Sequence, residues 1–471
     1  NSKDIALLTY GVEDNGLNQT YPTETSDSDS TVTVDDQLFE GLVQYRDDTK
    51  VVPLLATSWY NPNDTTWVFN IRHNVKFHSG RTLTAADVKY SLDYAVANQN
   101  SNSGGTSLSL ASTIKSVKVD NPYQVTITTN GPDPVLLNRL AFLYIVDSKA
   151  KLGDPDAGTG PYIVKPGTKL TSGSAYLQAI NDYWGGHIYT KSVHIIFYAN
   201  EAKLTQDIQD KKLSIGGNFT NSQLAQITSS HDYINIHELG VDFLGLNTVQ
   251  AGTPLTSLNA RKAITYALNI PAIIKASDLK GTALNQLIPP TLPGYNPDIP
   301  AQVYNPTKAE QLLVGVPDLD KTLTLDYPIG DTPQVQEIAK ELNAVGFHVQ
   351  IQQQSLNNLI NTLTSGTAQM FYIGYTTNTL DGLDIINNTV QELPYYMNAE
   401  LTNLANQAAS NLNGAARSAT VQQMEQIIYD NAPVVPILNT TAVYVLTQPY
   451  VVTPNDPSAG IGAYFWQVYK E

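Results

Sequence analysis

Within RTLTAADVKYSLDYAVAN, apolar residues return at Val88, Leu92 and Ala95, a helical spacing that predicts a helix opening at Thr84. Asp87, three residues further on, makes a variant capping box with Asp in place of Glu. On either side the period drops to two. Residues 65–71 alternate inside TTWVFNIRHNVKFHSG, which predicts strand, turn at RHN, strand. IKSVKVDNPYQVTITTN predicts a hairpin around DNPY, and VDDQLFEGLVQYRDD a short helix with Leu38, Phe39 and Leu42 on one side. Residues 36 to about 155 thus read as one mixed α+β unit.

GDPDAGTGPYIV (153–164) is a Gly/Pro-rich crossing that leads into two strands and a helix. From about residue 240 helix and strand alternate. TLTLDY, the helix TPQVQEIAKELNAVGF, FHVQIQQ, the helix SLNNLINTLTSG and QMFYIGY spell β-α-β-α-β. Right-handed crossovers place such strands parallel. A helix, the strand VVPILNTTAVYVL and an apolar tail, FWQVY, close the chain. The tail is expected to rejoin the first unit, so crossings near 155, 240 and 440 imply domains built from separated segments.

The last strand of the alternating part empties into IGYTTNTLDGLD (373–384), small and polar. Open α/β sheets bind ligands beyond the carboxyl ends of their strands, which makes this loop a candidate ligand contact. The alternative is a solvated turn.

Composition narrows the class. The 471 residues are 42% hydrophobic and 15% charged, globular rather than disordered. At about 150 residues per domain, roughly three domains are expected. The net charge of −16 argues against nucleic acid. With no cysteine, thiolate chemistry and Cys-type metal sites are excluded. No apolar run is long enough to span a bilayer. The chain begins without Met, as a mature form would.

Specific catalytic signatures are missing: no G-x-S-x-G, P-loop, H-E-x-x-H or EF-hand loop. His73 and His78 lack a third ligand nearby in sequence, so no metal or cofactor is expected. Asp381 with Asp384 has the makings of a carboxylate pair for glycoside chemistry, though carboxylates three apart in a loop are usually solvated or capping. Trp59, Trp67, Trp184 and Trp466 read as structural before ligand-stacking. Arg261 is a candidate lobe salt bridge.

The ordered blocks carry a resemblance. LFEGLVQYRDDTKVVPLLATSWYNPNDTTWVFNIRHNVKFHSGRTLTAADVKYSLDYA (38–95) resembles the signature region of family-5 extracellular solute-binding proteins of ABC importers. GTGPYIV with NDYWGG (158–186), FLGLN…NARKAITYALN…LIPPTLPGY (243–295), YNPTKAEQLL and LNAVGFHVQI follow in the family's order. The resemblance implies an α/β, two-lobed periplasmic-binding-protein-like fold (type II, Venus-flytrap) with an extra α+β subdomain. Lobe I would comprise 1–36, 157–238 and 444–471, the subdomain 37–156, and lobe II 239–443.

It further implies a binding protein, not an enzyme, that captures a peptide by lobe closure and hands it to an ABC permease. An extracytoplasmic place, lipid-anchored or secreted, and a monomeric state are expected with it. Peptide binders of the family carry an amine-pairing Asp three residues past the strand-end aromatic. Counted from Tyr375, that position is Asn378. A charge-assisted hydrogen bond contributes about 1.5–3 kcal/mol and a neutral one about 0.5–1.5. The exchange therefore costs on the order of tenfold in amine affinity. Either Asp381 takes over the role, or the guest lacks a free amine, as an oligosaccharide does. A hydrolase using Asp381 and Asp384, or a receptor in place of the permease, are further alternatives. The expected contacts are Tyr21, Thr23, Tyr375, Thr376, Thr377, Asn378 and Asp381.

Overall fold

In the computed structural model, strand Leu8–Glu13 lies at the centre of a sheet, parallel to Ser192–Tyr198 on one side and to Ile215–Gly217 on the other. The described residues are 2–14, 29–46, 49–100, 107–229, 231–377, 379–452 and 464–471. The chain divides into two units, Asn1–Ile236 with Ala442–Glu471, and His237–Thr441.

In the first unit, Ser192–Tyr198 continues antiparallel to Ser174–Ala179, which pairs in turn with Tyr162–Val164. The crossover helix Glu201–Gln209 begins where the Asn200 side chain accepts from the Lys203 N–H at 3.1 Å. It buries Leu204 and Ile208 against Tyr198, Leu213 and Phe219. A second, four-stranded antiparallel sheet runs Ala56–Asn63, Thr66–Ile71, Gln124–Thr129, Ile114–Asn121. Helix Ala85–Ala97 buries Val88, Leu92 and Ala95, as the periodicity predicts, and Asp87 accepts the Thr84 N–H at 3.0 Å.

Two local expectations give way. No second strand follows the RHN turn. Asn74 takes a left-handed φ of 61°, and the segment folds back on itself through Phe77 N–H to Arg81 at 2.9 Å. Residues 66–71 instead pair with Ala56–Asn63 before them. The first helix among the described residues is Asp29–Leu38, which begins upstream of the predicted one. Its β-branched STVTV run has weak helix propensity and hid it. Leu38, Phe39 and Leu42 are all buried nonetheless. The tail does dock in this unit: Thr190 Oγ1 donates to the Val468 carbonyl at 2.8 Å.

In the second unit, strands Thr322–Pro328, His348–Gln354 and Met370–Thr376 are parallel as predicted, with helices Thr332–Val345 and Leu356–Ser365 as crossovers. Gly240–Leu246 runs antiparallel to Met370–Thr376, and the first part of Val434–Leu446 antiparallel to that. Helix Thr332–Val345 presents Val335, Ile338, Ala339 and Leu342 to a core that includes Leu323, Leu325, Met370 and Tyr372. Gly346 ends it at φ 119°, a left-handed stop that favours glycine.

Candidate functional site

Strand Met370–Thr376 delivers its last residues to the carboxyl end of the second unit's parallel strands. Thr376 is exposed there. Tyr375 is half-buried, and its hydroxyl donates to Asp384 Oδ2 at 2.9 Å. Burial first, and then the Asp384 charge, push the Tyr375 phenol far up. Thr377 is buried, and its Oγ1 accepts the N–H groups of Thr379 at 3.2 Å and Asp381 at 3.4 Å. The Thr377 hydroxyl, one of those that make the sequence look solvated, thus holds the loop's own backbone. Tyr21, Thr23 and Asn378 lie outside the described residues.

Asp381 is buried and faces Arg417 through two parallel hydrogen bonds, Nη1 to Oδ1 at 2.6 Å and Nη2 to Oδ2 at 2.7 Å. Arg417 Nε donates to the Ala408 carbonyl at 2.9 Å. The pair ties the loop to helices Ala399–Ser410 and Gly414–Asn431. Each carboxylate oxygen accepts one of these bonds, so Arg417 is the partner that the structure records for Asp381. Asp384 accepts from Tyr375 and from Asn388 Nδ2.

A second group stands nearby in the same sheet, and the sequence did not single it out. Tyr372 donates its hydroxyl to Asp242 Oδ2 at 2.8 Å. Asp331, just past strand Thr322–Pro328, accepts from Gln334 Nε2 at 3.0 Å. Burial raises Asp242 to about 7, opposed by the Tyr372 hydrogen bond and reinforced by the charges of Asp331 and Glu238. Burial likewise raises Asp331 to about 6. The available signal was an Asp inside the otherwise apolar strand VDFLGL.

In the first unit the resemblance blocks converge on one carboxyl. Glu40 accepts from Tyr183 Oη at 2.6 Å, Trp184 Nε1 at 2.7 Å and Thr159 Oγ1 at 2.8 Å. Burial raises it to about 7 against these three bonds. Arg72 lies over the Trp184 ring at 4.6 Å. The roles are structural, as read for Trp184. The His78 ring nitrogens face the carbonyls of Asp156 (3.1 Å) and Gly160 (2.8 Å), and no group of three metal-ligating side chains occurs among the described residues. Arg261 does not serve as a lobe salt bridge. Its guanidinium donates to the carbonyls of Asn431 and Leu255. Two cavities of the second unit, about 280 and 520 Å³, are lined by other residues, Tyr266 and Tyr304 among them.

Residues 50–395 match the family model described as bacterial extracellular solute-binding proteins, family 5 middle. A dipeptide-binding protein of Escherichia coli (strain K12) is 27% identical over 383 residues, 72% of this chain and 70% of that protein. Heme-binding protein A of Haemophilus influenzae is 24% identical over 455 residues, 86% and 82% of the two chains. The solved structure of HbpA2 from Haemophilus parasuis superposes with a TM-score of 0.84 at 21% identity, covering 99% of this chain and 100% of that one. The fold is therefore the α/β, type II class of periplasmic binding proteins that the sequence implies. With the family matched over most of its length, the chain belongs to family 5 of the bacterial extracellular solute-binding proteins, the substrate-binding components of ABC importers.

Proposed function

We propose that this chain captures a peptide outside the cytoplasm and delivers it to an ABC permease, binding by closure on the guest without chemical turnover. The dipeptide-binding relative supports a peptide guest. The observation that carries the choice is the charge around the loop. From Glu341 to Ala416 the chain has neither Lys nor Arg, and Arg417 is committed to Asp381. Such a surface suits amines and amides better than polyanions. Lipid anchoring and a monomeric state belong to the same proposal.

A second reading keeps the fold and takes an amine-free solute such as an oligosaccharide. It is favoured by Asn378 at the amine-pairing position and by the engagement of Asp381. Native mass spectrometry of the purified protein tests the pair, since a retained solute reports its class by mass. Asn378→Asp gives the second arm. A peptide guest binds the variant as well or better, and an amine-free guest binds it more weakly. Recovery of an altered solute after incubation would overturn the binding-only proposal.

A further inference from the structure

Five Asn-x-Thr triplets occur in the chain, at Asn18, Asn63, Asn218, Asn387 and Asn439, and the solute-binding reading uses none of them. Such a triplet is the acceptor pattern for an N-linked glycan where its Asn amide and Thr hydroxyl reach the surface together. A chain rich in Asn and Thr produces several by chance, so placement and not number distinguishes them. Asn18 lies outside the described residues.

The fold claims three of the others. Asn439 is 5% exposed, and its Nδ2 donates to the carbonyls of Glu238 and Gly240. Asn387 is half-buried at the end of helix Gly382–Ile386, and the buried Thr389 gives its hydroxyl to the Ile385 carbonyl at 2.7 Å. Asn218 is exposed, but its Oδ1 accepts the Val443 N–H at 2.9 Å. Phe219 beside it is sunk in the core, and the Thr220 hydroxyl accepts the Gln223 N–H at 3.2 Å where helix Asn221–Gln226 begins.

Asn63 differs on each count. Asn63 and Asp64 are exposed and Thr65 is half-buried, at the tip that joins strands Ala56–Asn63 and Thr66–Ile71. Asn63 pairs with Thr66 across that tip. Its Oδ1 accepts both the Thr65 N–H at 3.0 Å and the Thr65 hydroxyl at 3.2 Å. The amide and the hydroxyl of the triplet therefore stand side by side on the outside of the first unit. With its oxygen held against the turn, the amide has its nitrogen, Nδ2, on the side away from those donors.

We propose that Asn63 carries an N-linked glycan. The donor is an oligosaccharide esterified to a polyprenyl phosphate or pyrophosphate, and an enzyme performs the transfer because an amide is a weak nucleophile. Nδ2 of Asn63 bonds to the anomeric carbon and the C–O bond to phosphate breaks. The lipid phosphate leaves with the electron pair, and the displaced amide proton passes to solvent. Nothing is oxidised or reduced. The site rests on the extracytoplasmic reading and is independent of which solute is bound.

Glycopeptide mass spectrometry of the protein isolated from its own organism tests the site. The proteolytic peptide that holds Asn63 should carry a glycan. Asn63→Gln, expressed in the same organism, should lower the intact mass by that of one whole glycan. Thr65→Ala should do the same, and it carries the test if Asn63→Gln fails to fold. Thr65→Ser keeps a hydroxyl and should keep the glycan. An unmodified Asn63 in protein recovered outside the cytoplasm overturns the site and leaves the solute-binding proposal standing. A glycan on Asn218, Asn387 or Asn439 in place of Asn63 overturns it as well. Protein recovered only from the cytoplasm overturns the extracytoplasmic reading, and the glycan with it.

Discussion

Arg417 grips Asp381 with both terminal nitrogens of its guanidinium, 36 residues away in sequence and buried in the second unit. Removing one member of such a pair strands the other charge in a poorly solvated place, at a cost of about 3–5 kcal/mol. Arg417→Met should therefore lower the urea midpoint of the second unit's transition sharply. Asp381→Leu combined with Arg417→Met should recover most of the loss, because two apolar groups leave nothing unpaired. A single variant as stable as the parent would show that the bridge contributes little.

Thr377 offers a milder test of the same loop. Its buried Oγ1 serves two backbone N–H groups. Thr377→Val keeps the shape and removes the acceptor, at a cost of about 1–2 kcal/mol. For a unit of this size, that lowers the melting temperature by roughly 2–8 °C. An unchanged melting curve would mean that the loop does not depend on this hydroxyl.

Glu40 makes the first unit's stability depend on pH. Its folded-state value of about 7 exceeds the ordinary 4.5, so the native state holds the proton more tightly than the unfolded chain. The associated stability is fully present below pH 4.5 and is lost as pH rises through 7, about 3 kcal/mol in all. Glu40→Gln cannot lose a proton. Relative to the parent, it should gain stability between pH 4.5 and pH 8 in denaturant titrations. A constant gap across that range would exclude a shifted Glu40.

Much of the architecture was legible because long periodic segments dominate it. The Val88–Leu92–Ala95 stripe and the β-α-β-α-β run were of this kind. What failed was local. The helix Asp29–Leu38 has a β-branched sequence that only tertiary burial makes helical. The strand expected after RHN dissolves into a turn because Asn74 accepts a left-handed backbone. The site was legible only as a place. The carboxyl end of a parallel strand pointed to the loop, but spacing does not reveal that Arg417 claims Asp381. Nor does it reveal that Asp242 and Asp331, 89 positions apart in the chain, act on one another. Such pairings depend on strand register, which no short motif encodes.

Thr190 holds Val468 across 278 positions, and Glu40 reaches Trp184 across 144. During synthesis, then, the unit that contains the N-terminus is the last to be finished. Its sheet waits for residues 445 and 446 to pair with Ile215–Gly217, whereas residues 237–441 form a continuous stretch able to settle as soon as they emerge. A nascent chain that has emerged only as far as residue 441 would carry a settled second unit and a first unit with one sheet edge still open, a species that proteases and chaperones would recognise before the full-length product.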